Sequence, residues 1–450
     1  MYRRIYTLGD VNLDNKVMQL QQYIDFHHVL QLDSKQRNIY LGVINYLCKQ
    51  VKQYNQWTKS MMMFMKERMS EGHDLFRVYI DSNNVVRYKK WNKTFRAQDF
   101  YEYRFNILTD CLFLTSFEDR SYGKIILYKL IKLFPSSRKE LESLFENFFE
   151  VDLGFIAKYF PTMLEIYRII HRNREFLAKP LKRIMVTGNM SAGKSTLLNA
   201  LAGKKINKTQ NDTCTAKVHY MYNKAGEDNV SYELDYELVV NASSKLLLED
   251  NENNESPEIF VGTRFRSINE IDRRVCIIDT PGVNSCLNKE HRAISDDVIV
   301  DENCDLLLFL LNGENIGTDD DKRHLKNVRE MYKGDIIFLI NKLDRYKQGI
   351  DSISNAIHKV KDDLEKYGYE KPKVFPISAY SAYLAKMSSF NEALNEDELH
   401  EIEYRKKKLS QEEFRYDKYY SVESQIIYDK NENHELLRNS GLIALEQLIY

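Results

Sequence analysis

The chain is 450 residues long, 43% of them hydrophobic and 29% charged, and its formal net charge is −1. This balance is typical of a folded chain of two or three domains, and it excludes a global basic field of the kind that attracts nucleic acid. The six cysteines include no CxxC pair and no zinc-like cluster, so we expect free thiols in a reducing compartment.

Two features of the sequence bear on membranes. Met1 is not followed by the apolar core of a signal peptide. The apolar run at 306–311 is far shorter than the roughly 20 residues that a membrane-spanning helix needs. We therefore expect a cytoplasmic protein, and peripheral contact with a membrane stays open.

Residues 1–180 predict a mainly helical region with a hairpin near 78–88. The stretch 34–70 lacks proline and repeats apolar residues at three- and four-residue spacing, which predicts a long helix. Its methionine-rich end, 61–65, is expected to face a core rather than a membrane or a partner. His27 and His28 lack spaced metal partners, so we expect solvated side chains.

Aromatic-rich helical patterns resume at about 99 and continue to 134, where Pro135 breaks them. Ser137 is a candidate N-cap for a helix over 138–149. Another helix leads to 177, and Pro180 closes the region. No catalytic constellation of side chains appears before this point.

The segment 183–201 carries the strongest motif of the chain. Residues 184–186 predict a buried strand, residues 188–195 read GNMSAGKS and fit G-x-x-x-x-G-K-[ST], and leucines then recur at helical spacing. Glycines at both ends let backbone amides converge on phosphate oxygens beside a helix N-terminus. Lys194 would reach the β- and γ-phosphates, and Ser195 would hold Mg²⁺. The residues expected to contact the nucleotide here are Gly188, Asn189, Ser191, Ala192, Gly193, Lys194, Ser195 and Thr196.

From 181 to about 382, strands and helices alternate. This pattern predicts an α/β fold with a mostly parallel sheet covered by helices on both faces. The strand candidates are 184–186, 218–222, 232–238, 275–278, 306–311, 336–340 and 374–377. The second and third are expected to be antiparallel neighbours, and the acidic stretch 249–258 a surface excursion.

We assign 181–385 and 436–450 to this domain. The charged, tyrosine-rich stretch 386–435 reads as an insertion or arm. Residues 440–450 predict an amphipathic helix that stops on apolar side chains. We expect that helix to be incomplete, so that a continuation or a second chain covers its apolar face.

Two short motifs follow predicted strands and suit guanine-nucleotide chemistry. Asp279 and Gly282 belong to DTPG, where the carboxylate can hold Mg²⁺ through water and the glycine amide can sense a γ-phosphate. Asn341, Lys342 and Asp344 belong to NKLD. A carboxylate such as Asp344 can accept both the N1–H and the N2–H₂ of guanine, which rejects adenine.

The other side chains of this base site have narrower roles. Asn341 would contact guanine N7 and brace the phosphate loop, and Lys342 would lay its stem over the base. Ser378 and Ala379 would bring a backbone amide to guanine O6. All these residues follow strands, at the edge where open α/β sheets bind ligands.

Together, GNMSAGKS, DTPG, NKLD and the continuation STLLNALAG resemble the dynamin superfamily of large GTPases, and bacterial dynamin-like proteins in particular. The resemblance covers about 182–450 and implies a Mg²⁺-dependent GTPase. The 91-residue interval between Gly188 and Asp279 is typical of this family. The resemblance places the switch threonine at Thr215, with Thr213 as the alternative, and gives it a metal-binding and catalytic role beside Lys194. Ser191 matches the loop serine that helps to hold a charge-compensating cation.

Two departures from the family concern the catalytic water. Val283 stands where small GTPases often carry a glutamine, and Met190 stands where eukaryotic dynamins carry one. Either the Thr215 backbone and ordered water suffice, or a group arrives from a second protomer. The resemblance favours self-association through the GTPase domain, with a nucleotide cycle that drives conformational change.

Three functions compete at this point. The first is a self-assembling dynamin-like GTPase, acting at membranes or in the cytoplasm. The second is a GTP-gated switch that recruits a protein partner and hydrolyses little. The third, association with RNA, is disfavoured because a basic aromatic patch is missing from the sequence.

Overall fold

The computed structural model describes residues 7–8, 11–51, 55–70, 78–80, 86–88, 94–95, 97–189, 191–206, 217–235, 237–249, 258–266, 273–280, 304–347, 349–421 and 433–450. They fall into two compact units. The helical unit comprises Met1–Ala178 and Ala225–Asn241, and the sheet unit comprises Lys179–Lys224 and Ala242–Tyr450. Among the described helices, none is long and apolar enough to cross a membrane.

The helical unit contains eight described helices and three small β elements. Its helices are α1 (Gln21–Asp25), α2 (Ser34–Cys48), α3 (Gln56–Met69), α4 (Arg104–Thr115), α5 (Arg120–Leu133), α6 (Arg138–Glu150), α7 (Leu153–Tyr159) and α8 (Leu164–Ala178). Its strands are β1 (Thr7–Leu8), β2 (Val11–Asn12), β3 (Val78–Ile80), β4 (Val86–Tyr88), β5 (Thr94–Phe95), β8 (Tyr232–Leu234) and β9 (Leu238–Val240). The mainly helical character and the β3–β4 hairpin agree with the predictions.

The long helix predicted over 34–70 is two helices. Asn55 begins the second of them, because its side chain accepts a hydrogen bond from the Thr58 backbone N–H at 3.1 Å. The methionine-rich end faces the core as predicted, with Met61, Met62 and Met65 buried, although Met63 is 67% exposed. Ser137 does occupy an N-cap position, but its hydroxyl accepts from Arg104 and donates to Tyr101 instead of capping the helix.

A buried carboxylate lies at the centre of the helical unit. Asp110 accepts hydrogen bonds from the hydroxyls of Tyr23 and Tyr40, each at 2.6 Å, and from His27 Nε2 at 3.0 Å. The Nδ1 atom of His27 accepts from the Val29 backbone N–H, so the ring proton lies on Nε2. Burial first, and the Asp110 charge second, raise the pKa values of both tyrosines. The prediction of a solvated His27 is therefore wrong: the ring is buried because Asp110 needs its N–H.

The segment Ala225–Asn241 lies within the range predicted for the α/β domain, but it belongs to the helical unit. Asp228 Oδ2 accepts from the backbone N–H groups of Leu20 and Gln21, at 2.6 and 3.2 Å. These two N–H groups lie at the start of helix α1, where the apolar side chain of the N-cap residue Leu20 cannot accept a hydrogen bond. Tyr232 donates to the Met18 carbonyl at 2.6 Å and stacks on Trp57. A carboxylate 207 residues away in sequence thus supplies the missing cap.

The sheet unit is a three-layer α/β structure, which confirms the predicted fold class. Its strands run in the order β14-β13-β12-β6-β11-β7-β10. Their bounds are β6 (Leu181–Gly188), β7 (Val218–Tyr222), β10 (Glu258–Gly262), β11 (Arg274–Asp279), β12 (Leu306–Asn312), β13 (Asp335–Asn341) and β14 (Lys373–Ile377). All neighbouring pairs in this order are parallel except β11 with β7.

Two of the predicted strand assignments need correction. Strand β7 pairs antiparallel with β11 and parallel with β10, so both its edges are occupied and it does not pair with 232–238. That predicted strand is a tight hairpin, β8 and β9. Strand β10 was missed, because it follows the acidic stretch that we interpreted as a surface excursion.

Helices cover both faces of the sheet. They are α9 (Lys194–Ala202), α10 (Ser244–Glu249), α11 (Asp319–Met331), α12 (Ile353–Lys366), α13 (Ala379–Ser389), α14 (Glu396–Leu409), α15 (His434–Asn439) and α16 (Leu442–Ile449). On one face, Leu197 and Ala382 pack with Leu308 and Leu339 in a single apolar core. On the other face, His324 of α11 lies 4.9 Å from the Phe309 ring.

The described parts of 386–435 pack into this core. Ile402, Leu409 and Tyr420 are buried in it, so this segment is not a projecting arm. The final helix behaves similarly: Leu442, Leu445 and other apolar side chains of α16 are buried in the unit's own core. The expectation that a further chain must cover this face is therefore wrong for the described residues.

We expect the cap that Asp228 supplies to stabilise the helical unit. Asp228→Ala removes the acceptor of three backbone N–H groups, those of Leu20 and Gln21 at the start of α1 and that of Val230, and should lower the free energy of unfolding by about 2–3 kcal/mol. Urea denaturation measures the change. Asp362→Ala, at an exposed position of α12, is the matched control and should change stability by less than about 0.5 kcal/mol. Equal effects of the two substitutions would contradict the capping role.

Candidate functional site

The phosphate-loop motif forms the turn between β6 and α9. The strand ends at Gly188, and Gly193 precedes the helix, with φ angles of +153° and +96°. A Cβ at Gly188 would meet the Leu310 carbonyl, and one at Gly193 would meet the Asn341 side chain. Both positions therefore require glycine for space as well as conformation. Ser191 also adopts a left-handed conformation, with φ +61°, and Ala192 is buried.

Lys194, the first residue of α9, folds back over this turn. Its ammonium donates to the carbonyls of Gly188 at 2.8 Å and Asn189 at 3.2 Å. Burial lowers the pKa of Lys194, and the charge of Asp279 opposes that shift. A phosphate bound in the loop would offer this ammonium stronger, charged acceptors than two carbonyls. Ser195 and Thr196 follow in the first turn of the helix, half-buried.

Among the residues that the structure describes, Asp279, at the end of β11, is the carboxylate whose charge acts on this lysine. It is 6% exposed, and burial raises its pKa to about 7, against the opposing charge of Lys194. An ionised carboxylate so poorly solvated is stabilised by a bound cation. Magnesium prefers oxygen ligands, so Asp279 and the Ser195 hydroxyl are a suitable donor set for it. Thr215, the third predicted ligand, lies outside the described residues.

Asn341 ties the loops of the site together. From the end of β13, its Nδ2 donates to the Ala192 carbonyl at 2.8 Å, and its Oδ1 accepts from the Ala379 N–H at 3.0 Å. One side-chain amide therefore connects the phosphate loop with the loop after β14. A contact between the Ala379 amide and guanine O6 would have to share that N–H. The Ser378 hydroxyl forms a hydrogen bond with Ser381 at 2.7 Å.

The rest of the NKLD motif lies in the turn after β13. Lys342 has a left-handed φ of +68°, and burial lowers its pKa. Asp344 is 8% exposed, and its Oδ2 accepts from Arg405 Nη1 at 2.7 Å. The carboxylate predicted to read guanine thus already has a cationic partner, from helix α14.

Side chains of helix α11 form hydrogen bonds with the start of the phosphate loop. These contacts were not predicted from the sequence. Asp321 accepts from the Asn189 side chain and from the Gly317 N–H, and Thr187 is hydrogen-bonded to His324 at 2.9 Å. The pattern Thr318-x-x-Asp321 is a readable capping box, present in the structure, but it predicts only a helix start. Its second contact, to the loop, has no local sequence signal.

The structure brings most of the predicted nucleotide-binding residues to the carboxyl ends of β6, β11, β13 and β14. The remaining ones, Thr215 and Gly282, lie outside the described residues. So do the alternative Thr213 and the departures Met190 and Val283. Their predicted roles stay predictions.

Comparison with known proteins finds a family match over the part of the chain that forms most of this site. Residues 184–343 match the Dynamin family. A protein described as "Probable transmembrane GTPase FZO-like, chloroplastic", from Arabidopsis thaliana, is 26% identical over 242 residues, which are 53% of this chain and 23% of that protein. A "Bacterial dynamin-like protein" from Nostoc punctiforme is 22% identical over 181 residues, which are 37% of this chain and 26% of that protein. The chain thus spans about a quarter of the length of these curated relatives.

One similar solved structure comes from work described as "An oligomerised bacterial dynamin pair provides a mechanism for the long range sensing and tethering of membranes". The match covers 92% of this chain and 60% of the chain in that structure, at 14% sequence identity and a TM-score of 0.37.

The raised pKa of Asp279 predicts a pH effect on the protein without nucleotide or metal. Because its folded pKa of about 7 exceeds the unfolded value of about 3.9, the folded state holds the proton more tightly, so stability falls as pH rises from about 4 to 7. Asp279→Asn removes this dependence and should be more stable than wild type at pH 8, by about 2–4 kcal/mol, but not at pH 4. Thermal unfolding at both pH values measures it, with Asp362→Asn as the exposed control. Parallel pH curves for wild type and Asp279→Asn would contradict it.

Proposed function

We propose that this chain is a GTPase of the dynamin superfamily, which binds GTP with Mg²⁺ and hydrolyses it; the match of residues 184–343 to the Dynamin family supports this. The nucleotide cycle would drive self-association and conformational change. The observation that carries the proposal is the joint placement of Lys194, Asp279, Asn341 and Asp344 at one edge of the sheet. The groups that would bind phosphate and those that would read the base lie at the same edge, and hydrogen bonds of Asn341 connect their loops.

The chain's own residues would contribute placement and charge. Lys194 would exchange the Gly188 and Asn189 carbonyls for phosphate oxygens and neutralise the charge that develops there. The loop amides between Gly188 and Thr196 would hold the same oxygens. Ser195, Asp279 and, from the family resemblance, Thr215 would hold Mg²⁺, which supplies further positive charge when bound. Ser191 would hold a compensating cation.

At the base, Asp344 would accept from the N1–H and N2–H₂ groups of guanine, which selects it over adenine. Asn341 would keep the phosphate loop and the base loop in a fixed relation. Lys342 would cover the base with its stem, and Ser378 and Ala379 would close the site on the O6 side.

The group that positions the attacking water is the open part of the mechanism. The family resemblance and the two departures, Val283 and Met190, favour a contribution from a second protomer. We therefore propose that turnover is slow in the isolated chain and faster in an assembly. A cytoplasmic location and peripheral contact with a membrane belong to the same proposal, and both rest on the sequence. Binding of nucleic acid is not part of the proposal.

The alternative is a GTP-gated switch that recruits a protein partner with little hydrolysis. The same two departures favour it, because a domain without a water-positioning group can hold GTP for long periods. The two functions share the binding site and differ in the fate of the nucleotide.

Turnover at rising protein concentration separates these proposals. Under self-association, GTP hydrolysed per molecule should climb by about tenfold or more, because a group supplied in trans can add several orders of magnitude. Phosphate release measures the rate, and Lys194→Ala is the blank for contaminating activity. A flat, very slow rate with tight GTP binding would support the switch. A fast rate that is independent of concentration would contradict assembly-dependent catalysis.

A further inference from the structure

The base-reading carboxylate has a partner that neither the motifs nor the family match assigns. Arg405, on α14, donates from Nη1 to Asp344 Oδ2 at 2.7 Å and to Ser381 Oγ at 3.1 Å. The side chains of the pair are 11% and 9% exposed. Water therefore screens this ion pair weakly, unlike a pair on the protein surface.

Arg405 is held in place by its own surroundings. Its Nε donates to Glu401, one helical turn earlier, at 2.9 Å. The guanidinium lies 4.7 Å from the centre of the Tyr380 ring, a favourable cation–π distance. Since Glu401, Tyr380 and Ser381 all belong to α13 and α14, the position of this guanidinium does not depend on a bound nucleotide.

The geometry leaves room for guanine on the same carboxylate. The arginine contacts Asp344 through one nitrogen and one oxygen, not through the two-bond fork that this ion pair often forms. A carboxylate offers about four acceptor positions over its two oxygens. Among the residues that the structure describes, Arg405 is the hydrogen-bond donor to Asp344, so the Oδ1 atom and the second position on Oδ2 can accept from the N1–H and N2–H₂ groups of guanine.

We infer that Arg405 is a positioning residue for guanine recognition. It fixes the plane of the Asp344 carboxylate and compensates its charge in a poorly solvated site, so that both carboxylate acceptors meet the base. Helix α14, in the segment that the sequence suggested was an arm, is then part of the base site. This inference rests on the proposed function, because it requires that Asp344 reads a guanine base.

A contrary role for the same contact is occlusion. If Arg405 occupied the acceptors that guanine needs, it would have to leave before the base could bind. Removing it would then tighten binding, whereas removing a positioning residue weakens binding. The two roles predict opposite signs.

The test is the affinity of the full chain for GDP and for inosine diphosphate, which lacks the N2 amino group. Calorimetry on wild type and Arg405→Gln gives both dissociation constants. We expect Arg405→Gln to weaken GDP binding by about tenfold and inosine diphosphate binding by about threefold or less, because inosine makes one contact fewer with Asp344. The preference for GDP should therefore fall by about threefold or more.

Two further variants complete the experiment. Arg405→Lys keeps the charge but cannot span Asp344 and Ser381 with one planar group, so it should restore part of the GDP preference. It also keeps the test valid if Arg405→Gln fails to fold. Lys407→Gln removes an exposed cation from the same helix and should change neither affinity.

Each outcome has a distinct meaning. Tighter GDP binding by Arg405→Gln would overturn positioning in favour of occlusion. An unchanged ratio of the two affinities in both arginine variants would overturn any role of Arg405 in recognition. A wild-type chain that binds GDP no better than ADP would overturn the proposed function, and this inference with it.

Discussion

The hydrogen bonds of one side-chain amide hold the site together. Asn341 connects the Ala192 carbonyl of the phosphate loop with the Ala379 amide after β14. These loops leave strands β6 and β14, which are separated in the sheet by β12 and β13. Their parallel direction brings both loops to one edge, but only a bridge that can both donate and accept fixes their spacing. An asparagine at the end of the intervening strand β13 meets that requirement.

Buried charge is the second constraint on this molecule, and each unit meets it with specific partners. In the helical unit, two tyrosines and His27 surround Asp110. In the sheet unit, Glu446 of the last helix is paired with the fully buried Lys386, and Asp344 with Arg405. Asp279 is also buried, and its pKa stays raised to about 7 although the charge of Lys194 opposes that shift. A carboxylate left in that condition is suited to a metal ion that arrives with the nucleotide.

Segments that look peripheral in sequence supply structural contacts in both units. Ala225–Asn241 interrupts the α/β domain in sequence, yet Asp228 in it caps a helix near the N-terminus. The charged stretch after 386 provides Arg405 as the partner of Asp344 and Ile402 as part of the core. Charge and aromatic content alone suggested an insertion or arm, because these properties do not reveal which residues an exposed-looking helix will contact.

The sequence by itself determined the α/β architecture, most of its strands and the phosphate and base motifs. These features depend on local physics: glycines where φ must be positive, short apolar runs for buried strands, and polar residues placed where those runs end. The tertiary structure alone decided that His27 is buried against Asp110, that α11 holds Asn189 through Asp321, and that Arg405 meets Asp344. In each case the partners are at least 60 residues apart, and a hydrogen bond across that distance leaves no periodic signal in the chain. The sequence shows which side chains can donate or accept hydrogen bonds, but only the fold decides which of them become partners.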